Sequence, residues 1–297
     1  MKKTILITGG GRGIGAATAR LLAQQGHAIC INYASNQATA QAVVKDIQAA
    51  GGQAWCVAAD VSQADQVQAL FEFVDRECPP LHALVNNAGI VAPYARVEGM
   101  DSARFQRVFA TNVMGSFMCA QAAVARLSTR HGGAGGCIVN LSTAFVKTGA
   151  PGMAVDYAAS KSAIETFTVG LAREVAAEGV RVNAVRPGLI DTEIHAAAGD
   201  ADRASKAKDF VPMKRAGRAE EVAQAIAWLV SDASSYSTGA VVDVSGGVCG
   251  RDVSRQFAGD RGFRQSLRSP ALFGHGRSAL RLHSMFLGKV GNTPRCE

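Results

Sequence analysis

The sequence predicts an α/β fold: one domain on a doubly wound parallel sheet of about seven strands, with helices on both faces. Three observations predict it. Short apolar, β-branched runs alternate with longer amphipathic stretches from Thr4 to Val244, the strand–helix–strand pattern of parallel sheets. Gly26, Gly51-Gly52 and Gly179 fall just past predicted helix ends, where a left-handed cap is commonly needed. The 297 residues, 48% of them hydrophobic, suffice for one substantial core.

In chain order, Ile5–Thr8 reads as a buried first strand and Ile14–Gln25 as the helix after it. Strand Ala28–Tyr33 precedes helix Gln37–Ala49, and strand Ala54–Ala58 precedes helix Gln63–Glu77. Ala83–Asn86 leads into a long helical stretch, Asp101–Thr129, and Ile138–Leu141 into another, Val155–Glu178. Arg181–Val185, helix Ala219–Ser231 and strand Val241–Val244 complete the series. Leu189–Val211 is a polar, Ala-rich connection long enough to be a lid or substrate loop. Each strand of such a sheet ends on a common edge, where ligands bind.

Met1-Lys2-Lys3 precedes a very short apolar run followed by glycines, so no signal peptide is expected. No uninterrupted apolar segment reaches the ~20 residues that span a bilayer, and a cytoplasmic protein is expected. The seven cysteines (Cys30, Cys56, Cys78, Cys119, Cys137, Cys249 and Cys296) are scattered and read as small core residues in a reducing compartment. The six histidines show no ligand spacing, so no metal site is expected. Most of the net charge of +7 lies after Val248, where nine Lys/Arg face three Asp/Glu. Residues 1–247 therefore read as the folded domain and 248–297 as a basic Arg/Gly/Ser-rich tail, disordered or loosely packed. Such a tail could touch nucleic acid non-specifically, or be a frameshift or read-through product.

Two motifs carry chemistry. Thr8-Gly9-Gly10-Gly11-Arg12-Gly13-Ile14-Gly15 joins the first strand to the first helix. Glycines there let a pyrophosphate approach the helix N-terminus, whose free N–H groups favour an anion. Tyr157-Ala-Ala-Ser-Lys161 sets a phenol and an ammonium four residues apart, on one helical face. A cation beside a phenol favours the phenolate and brings its pKa toward the working range.

With Asn86-Asn87-Ala88-Gly89, Asn112 and Pro187-Gly188 in the same order, these motifs resemble the short-chain dehydrogenase/reductase family, in its compact oxidoreductase branch. The resemblance covers Met1 to Gly247. It implies a Rossmann-type nicotinamide-dependent enzyme acting on a small carbonyl or alcohol substrate, assembled as a tetramer or dimer through the two long helices. It implies Gly9, Gly13, Ile14, Gly15, Asn87, Ala88 and Gly89 around the cofactor, with Asp60 and Val61 flanking adenine. Asp60 reads equally as a helix-capping residue. Ile190 and Thr192, after Pro187 and Gly188, would hold the carboxamide, and Tyr157 and Lys161 would also touch the cofactor.

The second strand ends Asn32-Tyr33-Ala34-Ser35, without the carboxylate that would repel a 2′-phosphate. Arg12 could meet that phosphate, with Asn32 and Ser35 adding neutral bonds, so NADP(H) is favoured and NAD(H) remains possible. The resemblance makes Tyr157 the acid/base, Lys161 its pKa-lowering partner and Asn112 the anchor of a proton-relay water. A hydroxyl after the fifth strand would polarise the carbonyl, and both Thr143 and Ser142 are candidates. Neighbouring strand residues face opposite ways, so both cannot serve equally. The rival to an enzyme is a catalytically silent nucleotide-binding regulatory or scaffold protein.

Overall fold

The structure is a computed structural model, described here over residues 3–249. The predicted behaviour of the tail beyond Cys249 lies outside the described residues. Seven strands form one sheet in the order β3-β2-β1-β4-β5-β6-β7, and every pairing is parallel. They are β1 (Thr4–Ile7), β2 (Ala28–Tyr33), β3 (Gln53–Ala58), β4 (Leu81–Asn86), β5 (Gly136–Leu141), β6 (Val180–Pro187) and β7 (Val241–Val244). The order reverses between β1 and β4, which opens a crevice at their C-terminal ends.

The connecting helices are α1 (Gly13–Gln24), α2 (Gln37–Ala49), α3 (Ala64–Glu77), α4 (Ser102–Phe109) and α5 (Gly115–Leu127). After β5 come α6 (Phe145–Thr148) and α7 (Val155–Val175), then α8 (Ile194–Ala197), α9 (Arg203–Lys206) and α10 (Ala219–Val230). Helix α3 shows why they form: Val67, Leu70, Phe71 and Val74 make one buried stripe, with Asp65 in its first turn and Arg76 in its last. Helix α2 is capped by Asn36, whose side chain accepts from the Thr39 N–H at 3.2 Å.

Alternation along the strands builds two cores. Ile5, Ile7, Ile29, Ile31, Val85 and Val139 face α1, α2 and α10. Leu6, Cys30, Leu84, Ile138 and Val182 face α3 and α5. Ile5, Leu6 and Phe71 are at most 1% exposed, and each such side chain contributes roughly 1.5–3 kcal/mol. The glycines read as helix caps, Gly26, Gly51 and Gly179, all take left-handed φ.

Four expectations change in detail. The predicted Asp101–Thr129 helix is two α-helices joined by a π turn, Ala110–Met114. Taken as one run, Ser102–Leu127 is long and apolar enough to cross a bilayer by length and composition; here Ala120, Ala123 and Leu127 bury one side of it in the core. Helix α3 starts at Ala64, and Asp60 instead accepts from the Ser62 N–H at 2.9 Å in the turn before it. The Leu189–Val211 connection carries two short helices, α8 and α9. Among the described residues the cysteines are all free and no metal-binding cluster occurs.

Candidate active site

The glycine loop is locked by side chains from neighbouring strand ends. The Thr8 hydroxyl oxygen accepts from the N–H groups of Asn87 and Ala88, at 3.1 and 3.0 Å. Asn87 returns its amide to the Thr8 and Gly9 carbonyls, both at 2.9 Å. Close approach demands the glycines: a Cβ on Gly10 would lie 2.5 Å from Ile31, and one on Gly15 2.6 Å from the Asn87 amide nitrogen.

The result is a groove of about 430 Å³ along the C-terminal edge of the sheet. Of the sequence candidates, Gly9, Arg12, Gly13, Ile14, Asn32, Ser35, Asp60, Val61, Asn87, Ala88, Gly89 and Thr192 line it. Its concavity, its glycine floor and the N-terminus of α1 fit a dinucleotide.

Other candidates serve the groove from behind. Gly15 is buried against Asn87. Gly188 lets Ser245 pass, since a Cβ there would lie 2.7 Å from the Ser245 Cα, and the Pro187 carbonyl accepts from Ala144 at 2.8 Å. Ile190 is buried in the core under α10. Asn32 reaches the groove, but its amide donates to the Ala59 carbonyl at 2.7 Å and its oxygen accepts from Gly9 at 3.3 Å. Its donors are therefore spent on scaffolding, unlike those of exposed Arg12 and Ser35. Sequence reasoning missed Tyr33, Thr39, Thr111 and Glu193, which also line the groove. Tyr33 sits at the end of β2, a position that could have flagged it.

Behind Gly89 of the groove lies Lys161, and Tyr157 sits one turn before it on α7. Tyr157 packs with Val91, Tyr94, Phe145 and Met153 around Ala150, Ala154 and Ala158. Burial pushes its phenol up to about 12, against a hydrogen bond from Thr143 that lowers it. Lys161 is 3% exposed and donates to the Leu141 carbonyl at 2.8 Å. Burial brings its ammonium down to about 8. The expected lowering of the phenol by Lys161 is thus absent here: burial governs both groups, and the ammonium bonds a backbone carbonyl.

A Cβ on Gly89 would come within 3.2 Å of the Lys161 Nζ and 3.3 Å of the Asn112 Oδ1, so this glycine sits against both side chains. Asn112, in the π turn, accepts from the Ile90 N–H at 2.8 Å and donates to the Ile90 carbonyl and the Ser160 hydroxyl. Its amide is committed to holding the Gly89-Ile90 backbone against α7. π turns recur at functional sites.

The two hydroxyl candidates part company. Ser142 is buried and donates to Glu165, which Arg186 grips through two bonds of 2.7 Å. Arg186 also pairs with Asp243 at 2.6 Å. Thr143, on the opposite side of the chain, reaches Tyr157. The structure does not bring Ser142 to the phenol, because strand alternation points it into this clamp.

Just ahead of Tyr157, Asp156 forms a buried bidentate pair with Arg104, at 2.8 and 3.0 Å. Arg104 also donates to the Pro93 carbonyl. Burial works to raise the Asp156 carboxyl; the Arg104 and backbone hydrogen bonds outweigh it and leave it below its ordinary range. The pair ties α7, α4 and the 91–97 segment together, another element that the motifs did not signal.

A dinucleotide groove backed by a buried lysine, with a half-buried tyrosine and its hydroxyl partner one helical turn away, fits an oxidoreductase acting on CH–OH groups. The family model described as enoyl-(acyl carrier protein) reductase matches residues 9–249. The chain is 52% identical over 242 residues to the uncharacterized oxidoreductase YgfF of Escherichia coli, covering 82% of this chain and 98% of that protein. It is 36% identical over 248 residues to the 3-oxoacyl-[acyl-carrier-protein] reductase FabG of Staphylococcus aureus, covering 84% and 98%. A crystal structure of a short-chain type dehydrogenase/reductase from Mycobacterium marinum superposes with a TM-score of 0.77 at 34% identity, covering 83% and 95%. The chain belongs to the short-chain dehydrogenase/reductase family and is a nicotinamide-dependent enzyme.

Proposed function

We propose that this enzyme is an NADP(H)-preferring oxidoreductase that interconverts a carbonyl and a secondary alcohol. The observation that supports the reading is Lys161 packed behind the groove's Gly89, with Tyr157 one helical turn before it on α7 and hydrogen-bonded to Thr143. When bound, the nicotinamide supplies or accepts the hydride. Gly9, Gly13, Ile14, Ala88, Gly89 and Thr192 would hold the cofactor. Tyr157 gives its proton to the substrate oxygen in reduction and takes it back in oxidation. Thr143 donates to that oxygen and stabilises its developing charge. Lys161, against Gly89, would hold the cofactor one helical turn from the phenol, and Asn112 fixes the Ile90 backbone next to it.

NADPH-oxidation assays over ketones, sugars, quinones and β-keto esters, repeated with NADH, test the reading. No turnover with either cofactor on any of them would favour a silent nucleotide-binding protein.

Arg12 supports the NADP preference: it is exposed at the groove, and no carboxylate among the described residues pairs with it. A charge-assisted bond to the 2′-phosphate is worth about 1.5–3 kcal/mol. Arg12→Ser should therefore weaken NADPH binding roughly 10- to 100-fold and leave NADH binding nearly unchanged. Equal losses for both cofactors, by fluorescence titration, would refute the assignment.

Thr143→Val should lower kcat about 10²- to 10³-fold, as loss of an oxyanion donor does. Ser142→Ala should leave the chemical step in place and cost about 1 kcal/mol of stability, since it strips a donor from the partly buried Glu165. Steady-state kinetics and thermal melts of the two variants would separate the roles; the reverse pattern would move the polarising role to Ser142.

Assembly as a homotetramer is part of the same proposal. Phe109, Met114 and Phe117 are exposed on one face of the α4–α5 run. Phe117 stacks on Phe167 of α7 at 3.7 Å, so the two long helices share an apolar surface.

A further inference from the structure

Three segments converge in front of Tyr157. The Tyr94 N–H donates to the Ala198 carbonyl at 3.1 Å, and the Ala95 N–H to the Met153 carbonyl at 2.9 Å. These bonds join the 91–97 segment to the 189–211 connection and to the loop before α7. From that connection, Arg203 sets its guanidinium 5.3 Å from the centre of the Tyr94 ring and 5.6 Å from that of Phe145. Phe145 in turn meets the Tyr157 ring edge-on at 6.4 Å.

This cation is half-buried, and no carboxylate among the described residues forms an ion pair with it. The acids beside it are already engaged: Asp200 and Asp202 both pair with Lys206, at 3.1 and 3.6 Å. Other arginines in this part of the molecule are saturated, Arg104 by Asp156 and Arg186 by Glu165 and Asp243. Aromatic faces stabilise a guanidinium without consuming its N–H donors. The donor fork, which matches a carboxylate or phosphate bidentately, is left for a ligand.

We propose that the substrate is a carbonyl compound bearing an anionic oxygen-acid group, a carboxylate or a phosphate ester, and that Arg203 binds this group while Tyr157 faces the carbonyl. The proposal rests on the oxidoreductase reading for its carbonyl and on Arg203 for its charge. Segment 189–211 is then a specificity element: the anion draws Arg203, and with it α9, over the bound substrate.

Matched pairs test it. In NADPH oxidation, 4-oxopentanoate is compared with its methyl ester, and dihydroxyacetone phosphate with dihydroxyacetone; the two pairs tell a carboxylate from a phosphate. The wild type should prefer the charged member of at least one pair about tenfold or more in kcat/KM, carried by KM. Arg203→Met should collapse that ratio to within about twofold, and Arg203→Lys should keep part of it. Calorimetric titration of benzoate and benzamide into the NADPH-loaded protein reads the same site without turnover. Benzoate should bind more tightly, and Arg203→Met should abolish the difference. Equal treatment of charged and neutral partners by the wild type, or a preference that survives Arg203→Met, would overturn the proposal and show Arg203 to be only a latch of the 189–211 connection. Failure of every carbonyl to oxidise NADPH, with the benzoate preference intact, would instead overturn the oxidoreductase reading and leave the anion site standing.

Discussion

Tyr157→Phe is expected to lower kcat by about 10³- to 10⁴-fold while NADPH still binds. The substitution removes one oxygen and keeps the ring that packs against Phe145 and Met153. It deletes the phenol oxygen that lies against Thr143 and can release a proton to a carbonyl oxygen. The Thr143 bond is lost with it, yet Thr143 keeps a local role, since its oxygen accepts from the Phe145 N–H at 3.4 Å. Stopped-flow hydride transfer and fluorescence titration of NADPH measure the two halves of the expectation. Wild-type turnover in the variant would remove Tyr157 from the mechanism.

The second large effect runs in opposite directions for activity and stability. Lys161→Met should cost about 10²- to 10⁴-fold in rate and yet stabilise the cofactor-free protein. Burial holds the ammonium near 8 against 10.5 in an exposed chain, which disfavours the charged form by roughly 3 kcal/mol. The lost bond to the Leu141 carbonyl offsets about 1 kcal/mol of that. A net gain of about 2 kcal/mol at pH 7 should raise Tm by several degrees. The pH profile fixes the cause. Between about 8 and 10.5 the unfolded chain holds the lysine proton more tightly than the fold does, so wild-type stability should rise with pH across that window. Tyr157 opposes it at the top. Its folded pKa of about 12 lies above the ordinary 10, so its contribution is full below pH 10 and lost from there to 12. The Lys161→Met difference isolates the lysine. A difference in stability independent of pH would reject this account.

The fold was legible wherever packing follows a simple period. Strands such as Ala28–Tyr33 and Val241–Val244, and helix Gln37–Ala49, have the bounds that their apolar patterns predict. The groove was legible at Gly9–Gly13 and at Asn87–Gly89, because glycine and asparagine there answer a backbone need that few residues meet. What stayed hidden depends on partners distant in sequence. Ser142 and Thr143 are chemically alike, and only Glu165, 23 residues on, decides which one turns away. Arg104 reads as a helix-surface cation until Asp156, 52 residues later, folds beneath it. Asn32 has a donor on paper, which the end of β3 uses up. The effect of Lys161 on the phenol is hidden for a further reason: spacing shows that two groups share a face, not which neighbour the flexible ammonium chooses.

The π turn at Ala110–Met114 has a consequence for the phase of the whole helical run. Arg104, Val108, Asn112 and Ser116 are all buried, at strict intervals of four. On an ideal α-helix each such step drifts about 40° around the axis, and three steps would carry the last residue about 120° away from the first. The wider turn takes up that drift. One continuous line of side chains can therefore reach from the Asp156 clamp, past the Gly89 backbone, to the sheet core beneath Asn86. Removing a single residue from this turn would leave both helices helical and set them out of phase. Either the clamp or Asn112 would then face solvent, so the run works as a mechanical gear whose tooth count is fixed by one residue.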